Sequence, residues 1–111
     1  MSHEDVMTFL LARPEYRKPL ELAVKEEEQH ANEHHYLGWQ WFGVETHPSK
    51  LMRLVTEGIA RVNFKSNSST NYMLKEKDAV KNALSGLDRE IQRLKETREI
   101  EAKRTAKRTP T

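Results

Sequence analysis

Residues 43–74, GVETHPSKLMRLVTEGIARVNFKSNSSTNYML, constrain the fold more tightly than any other stretch of the chain. Pro48 is tolerated in the first turn of a helix, because the amide hydrogen it lacks has no helical partner there. Thr46 or His47 can precede it as the cap, and Thr46 is the better chemical choice. Leu51, Leu54 and Val55 then fall at i, i+3 and i+4, which makes one buried stripe. Gly58 closes the helix, since only glycine enters the left-handed cap conformation without steric cost. Ile59 to Phe64 alternates by face as a half-buried strand does. Lys65 to Asn71 is polar, contains no large apolar group, and reads as a loop projecting into solvent. Tyr72, Met73 and Leu74 return as a second strand. The predicted order is helix, strand, hairpin loop, strand.

The flanking segments are helical by the same kind of argument. Ser2 can cap a first helix with Asp5 as its capping-box partner, Val6, Phe9 and Leu10 as the apolar side, and Arg13-Pro14 as the stop. Pro19 opens a second helix with Leu20, Ala23 and Val24 inward, which turns polar through Glu26-Glu27-Glu28. The aromatic run Leu37 to Phe42, LGWQWF, ends at Gly43 and is expected as a short helix. Trp39, Trp41 and Phe42 are expected in the core against Leu51, Leu54 and Ile59, because aromatics supply most of the buried area of a small domain.

Residues 76–104 are expected as one long helix in which Val80, Leu84, Leu87, Ile91 and Leu94 recur at spacings of 4, 3, 4 and 3. That is a heptad seam, and it fails at Arg98 and Glu101. The seam is either a homodimer interface or a helix packed on its own domain. Gly86 lowers helix propensity by about 1 kcal/mol, so a bend is plausible there. The tandem AKRT repeat, Ala102 to Thr109, marks residues 102–111 as a basic flexible tail or a linker.

With 111 residues and 36% hydrophobic content, the chain has room for one domain with a small core. The absence of cysteine excludes disulfides and cysteine-ligated metal centres. No apolar run approaches the roughly 20 residues needed to cross a bilayer, and the N-terminus lacks a secretory pattern. The expectation is a cytoplasmic protein with no membrane partner. Net charge is +2, but its distribution is uneven. Residues 1–30 carry 4 basic and 7 acidic side chains, whereas residues 61–111 carry 13 and 7. The basic excess begins at the hairpin, so the chain can orient on a polyanion despite its near-neutral total. The alternative is a solvated charged helix.

A short helix passing through Gly58 into a hairpin with a long polar, basic tip resembles the recognition helix and wing of winged helix-turn-helix proteins. The phrase HPSKLMRLVTEGIARV is similar to segments of bacterial and archaeal transcription regulators and of winged domains in archaeal replication initiators. The resemblance covers roughly residues 19–84 and is strongest over 46–74. It implies an α+β, mostly α fold, with a winged-helix domain over 1–84 and LGWQWF as the first helix of the helix-turn-helix pair. It also implies double-stranded DNA as partner. On that reading Ser49, Lys50, Met52, Arg53 and Thr56 face DNA. Arg53 is then suited to guanine O6 and N7, and Ser49 sits where helix-start amides favour a phosphate. Lys65, Asn67, Ser68, Ser69 and Thr70 would hold the backbone or minor groove from the wing, supported by Arg61.

A rival chemistry lies in His30-Ala31-Asn32-Glu33-His34, which matches the His-x-x-Glu-His pattern of inverted zinc proteases. On a helix His30 and His34 would lie one turn apart with Glu33 as base, but a third acidic ligand and an enclosing fold are missing. The expectation is a non-enzyme without cofactor, in which these histidines cap a helix end and face solvent. Three roles follow: a dimeric transcription regulator, a DNA-targeting module of a larger helicase, initiator or ATPase, or a protein-docking winged helix that uses the aromatic patch or the acidic 26–33 surface.

Overall fold

Ser2 opens the first helix as its side chain dictates. Its Oγ accepts from the Asp5 amide at 3.4 Å while the Asp5 carboxylate accepts from the Ser2 amide at 3.1 Å. The computed structural model describes the backbone of residues 2–108 and the side chains of residues 2–100. Helix α1 spans His3–Ala12 and buries Val6, Phe9 and Leu10. Arg13, forced off helical geometry by Pro14, leads into a single 3-10 turn, Pro14–Tyr16. Helix α2, Arg17–Gln29, follows at once. It starts two residues before Pro19, which stands in the first turn where its missing amide hydrogen costs nothing.

Helix α3 spans Pro48–Thr56. His47 caps it, its Nδ1 accepting from the Ser49 amide at 3.1 Å. Thr46, the chemically better cap, is buried and donates its hydroxyl to the Val44 carbonyl at 2.9 Å instead. Gly58 ends α3 at φ 77°. Strands β1, Ala60–Lys65, and β2, Thr70–Leu74, pair antiparallel with an irregularity between Val62 and Phe64. The expected alternation along β1 buries only Ala60. Val62 and Phe64 are exposed because the hairpin projects beyond the helices that would cover them.

Residues 37–42 are not helical. Trp39 instead exchanges two backbone hydrogen bonds with Tyr72, at 2.9 and 2.8 Å, as an isolated antiparallel bridge on the free side of β2. Two glycines bracket the aromatic run too closely for a helix of useful length, and aromatic residues favour extended pairing. Gly38 adopts φ 117°, and a Cβ there would lie 2.3 Å from the Tyr72 carbonyl oxygen. Consequently Trp39 is buried, while Trp41 and Phe42, also expected in the core, stand 50% and 62% exposed.

Helix α4, Lys77–Arg108, runs unbroken through Gly86, which faces the Met7 side chain of α1. Its backbone remains helical through residues 102–108, which the repeat had marked as a flexible tail. Alanine, lysine and arginine are strong helix formers, and no breaker occurs before Pro110. Residues 109–111 of that tail lie outside the described residues. Arg17 clamps α4 with two bonds to Asp88, at 2.8 and 2.9 Å, and Lys81 reaches Glu28 at 2.8 Å. The fold is α+β and mostly helical, with one two-stranded sheet among the described residues. Among those residues no helix is long and apolar enough to cross a membrane.

Among the described residues the core holds one carboxylate. Glu27, expected on an acidic surface, is only 6% exposed. Its Oε2 accepts from the Trp39 indole and from the Leu74 amide, each at 2.8 Å. Burial pushes its pKa up, against the downward pull of those two hydrogen bonds. The folded chain therefore holds this proton more tightly than the unfolded one. Stability accordingly falls as pH rises from the ordinary glutamate range through the folded pKa.

Glu27→Gln, whose amide oxygen can accept both bonds, is expected to flatten that pH dependence in urea denaturation. Glu27→Ala leaves two buried donors unpaired and is expected to cost about 1–3 kcal/mol for each. Gly38→Ala should lower stability by about 2 kcal/mol or more, and an unchanged urea midpoint would refute the close approach of Gly38 to Tyr72.

Candidate nucleic-acid interface

Helix α3 is amphipathic, and its two faces part cleanly. Leu51 and Leu54 are buried, while Ser49, Lys50, Met52, Arg53 and Thr56 are all exposed. Tyr16 fixes the helix from behind, donating its hydroxyl to the Lys50 carbonyl at 2.9 Å. Local bonds restrain several of the exposed side chains. The Ser49 hydroxyl meets His47 Nδ1 at 2.8 Å, and the Thr56 hydroxyl donates to the Met52 carbonyl at 2.9 Å. Arg53 lies 3.5 Å from Glu57. Such an exposed pair contributes little and is readily exchanged for a stronger anion. Lys50 has no side-chain partner among the described residues.

The hairpin tip is a closed polar loop. The Ser66 amide donates to the Ser69 carbonyl at 2.8 Å, and Ser66 Oγ accepts from the amides of Ser69 and Ser68 at 3.1 and 3.4 Å. Lys65, Asn67 and Ser68 are exposed, and Ser69 and Thr70 are half-buried. Arg61 is placed differently from the expectation that it supports the tip. It lies near the base of the hairpin and donates to Asn63 Oδ1 at 2.5 Å, while Asn63 in turn donates to the Leu37 carbonyl at 2.7 Å.

The tip and the start of α3 border one cleft of about 320 Å³, walled by Gln40, Trp41 and Pro48 on one side and by Lys65 to Thr70 on the other. No carboxylate lines it. The structure thus brings the five expected wing residues into one cleft with Pro48, the first residue of α3. Ser49, Lys50, Met52, Arg53 and Thr56 of α3 all lie outside the cleft lining, and Lys50 borders a separate depression with Glu15 and Glu45. Trp41 and Gln40 were missed as surface residues. The signal available for them was the lack of helical period in LGWQWF, which leaves a cluster of aromatics without a single buried face.

The heptad residues of α4 serve the chain's own core first. Val80 and Leu87 are 1% and 2% exposed, so neither is open to a second copy. Leu84 and Ile91 are half-buried against the same core, and Leu94 is half-buried farther along. The cause is α1, which packs along α4 and covers the side of the seam that a partner helix would need.

The His-x-x-Glu-His pattern does not lie on one helix. Helix α2 ends at Gln29, so His30 is its C-cap, and His34 does not stand one helical turn away from it. Glu33 is tied to His30 at 2.7 Å, and the His30 ring stacks on Tyr36 at 4.5 Å. Among the described residues no three histidine or acidic side chains converge to hold a metal ion.

No family model matches the chain, and neither a curated protein nor a solved structure matches it.

Leu87→Ala is expected to cost about 2–5 kcal/mol of folding stability, independent of protein concentration, whereas Leu94→Ala should cost less than about 1 kcal/mol. A Leu87 effect that disappears on dilution would return the seam to a dimer interface.

Proposed function

We propose that the chain is a winged helix-turn-helix protein that binds double-stranded DNA as a transcription regulator, with α3 as its recognition helix and the β1–β2 hairpin as its wing. The observation that carries the reading is the shared cleft: Pro48 at the start of α3 and the polar hairpin tip border one opening lined by no carboxylate of the described residues. A polyanion can lie against both at once without meeting like charge. Lys65 supplies a cation in the cleft, and Lys50 and Arg53 lie outside it on the exposed face of α3. Arg53 offers the planar fork that reads guanine, and the serine and threonine hydroxyls of the tip suit phosphate and sugar.

The arrangement departs from the family pattern at one point. The segment before α3 is a turn at residues 41–45 rather than a helix, so α3 is held in place by Tyr16 and by the core. A two-fold dimer in this reading uses the far part of α4. That helix has 32 residues in a molecule 68 Å long, and among the described residues its outer turns have no partner helix. An isolated helical segment of that kind is marginal in water, and a second copy supplies the missing face beyond the part that α1 covers, from Leu94 outward.

Duplex affinity measured across a salt series tests the proposal. Neutralisation of one phosphate each by Lys50, Arg53 and Lys65 predicts a log–log slope of about −3 per chain. Lys65→Ala should weaken binding evenly across sequences and reduce the slope by about 1. Arg53→Ala should relax sequence preference. Absence of duplex binding at low salt, or affinity indifferent to all three substitutions, would sink the reading. A solution mass equal to one chain would remove the dimer while leaving the DNA contact standing.

A further inference from the structure

Trp41 is the feature that the duplex reading leaves unused. It is half exposed although it belongs to an aromatic run whose other tryptophan is fully buried. It stands edge-to-face with Phe42, ring centres 5.8 Å apart and planes at 81°, which braces the indole from within the loop. Its open surface lines the cleft opposite the wing tip. Around it stand three polar side chains with no side-chain hydrogen bond or ion pair among the described residues: Gln40 on its own wall, and Lys65 and Asn67 on the other.

In a duplex both faces of each base are already covered by neighbouring bases. An indole beside intact duplex therefore finds only sugar edges, and its π-face goes unused. An unpaired base has a free face, and base–aromatic stacking tolerates any sequence because every base offers one. The amides of Gln40 and Asn67 each present both donors and an acceptor, which match the Watson–Crick edge that an unpaired base exposes. Lys65 and the hydroxyls of Ser68 and Thr70 suit the attached phosphate. With no carboxylate in the lining, nothing in the cleft repels it.

We propose that this cleft seats one unpaired nucleotide next to the duplex, its base on Trp41 and its phosphate at Lys65, so that the protein prefers a single-strand–duplex junction over blunt duplex. The inference rests on the duplex reading for the position of α3 and the wing, but it fails or stands separately.

The test is a titration of the full chain with three DNAs: a blunt duplex, the same duplex with a short single-stranded overhang, and the free single strand. Intrinsic fluorescence and anisotropy of labelled DNA are read together. Trp39 is sealed in the core, so a fluorescence change on binding reports Trp41. The overhang duplex is expected to bind about tenfold tighter than the blunt one, within the range of a single base–aromatic stack, with quenching of the indole. Trp41→Ala should bring the overhang affinity down to the blunt value of the same variant, and Trp41→Phe should keep part of the difference. Circular dichroism of each variant establishes that it is folded.

Equal affinity for blunt and overhang duplex with unchanged fluorescence overturns the nucleotide site and leaves the duplex reading intact. Quenching by single strand with no binding of blunt duplex upholds the site and overturns the duplex reading. Absence of binding to all three DNAs at low salt overturns both.

Discussion

The carboxylate of Glu27 joins three segments that the sequence keeps apart: helix α2, the aromatic connection at Trp39, and the end of β2 at Leu74. One oxygen accepts two buried donors. Those donors need an acceptor because water cannot reach them, and an unpaired buried polar group is expensive. Satisfying them with a carboxylate carries its own cost, visible in the raised pKa. The arrangement persists because removing any one member strands the others. Trp39 is held in register by this bond, by its backbone bridge to Tyr72 and by stacking on the Tyr72 ring at 5.3 Å. The connection then has only eight residues between Trp39 and Pro48, so the start of α3 is set.

That anchoring divides the hairpin into a fixed base and a projecting tip. At the base Ala60, Tyr72 and Leu74 are buried, whereas beyond Ala60 every residue of β1 is exposed. The tip keeps its shape by its own bonds through Ser66 rather than by packing. A cleft built this way has one wall, Trp41 and the start of α3, that follows directly on the buried Trp39, and a second wall that stands clear of the core. The gap between the walls is the cleft on which the functional proposals rest. Glu27 therefore acts on the cleft only through position.

The parts of the fold that could be read in advance are those decided within a few residues. The capping box of Ser2 and Asp5, the stop at Pro14, the first-turn Pro48 and the closing Gly58 are local bonds or local steric limits, and each stands where the sequence places it. The hairpin was legible because alternation and a polar loop leave little else for residues 59–74 to form. The exposed face of α3 followed from the same period that buries Leu51 and Leu54. Where two local choices competed, as at Thr46 and His47, remote structure decided: burial of Thr46 removed it as a cap and left the role to the histidine.

The sequence by itself determined the caps and stops of α1 and α3, the hairpin, and the residues that α3 and the hairpin tip offer to solvent, because caps, breakers and periodicity act over one or two turns. Only the tertiary structure decided which member of a locally equivalent set is buried. Trp39 is inside and Trp41 outside, though they are two residues apart in one aromatic run. Glu27 is inside, and Glu26 and Glu28 are not. Val80 and Leu87 face α1 rather than a second chain. In each case the deciding contact comes from a segment distant in sequence, Tyr72, Leu74 or α1, and no pattern within the local window records which neighbour will close over it.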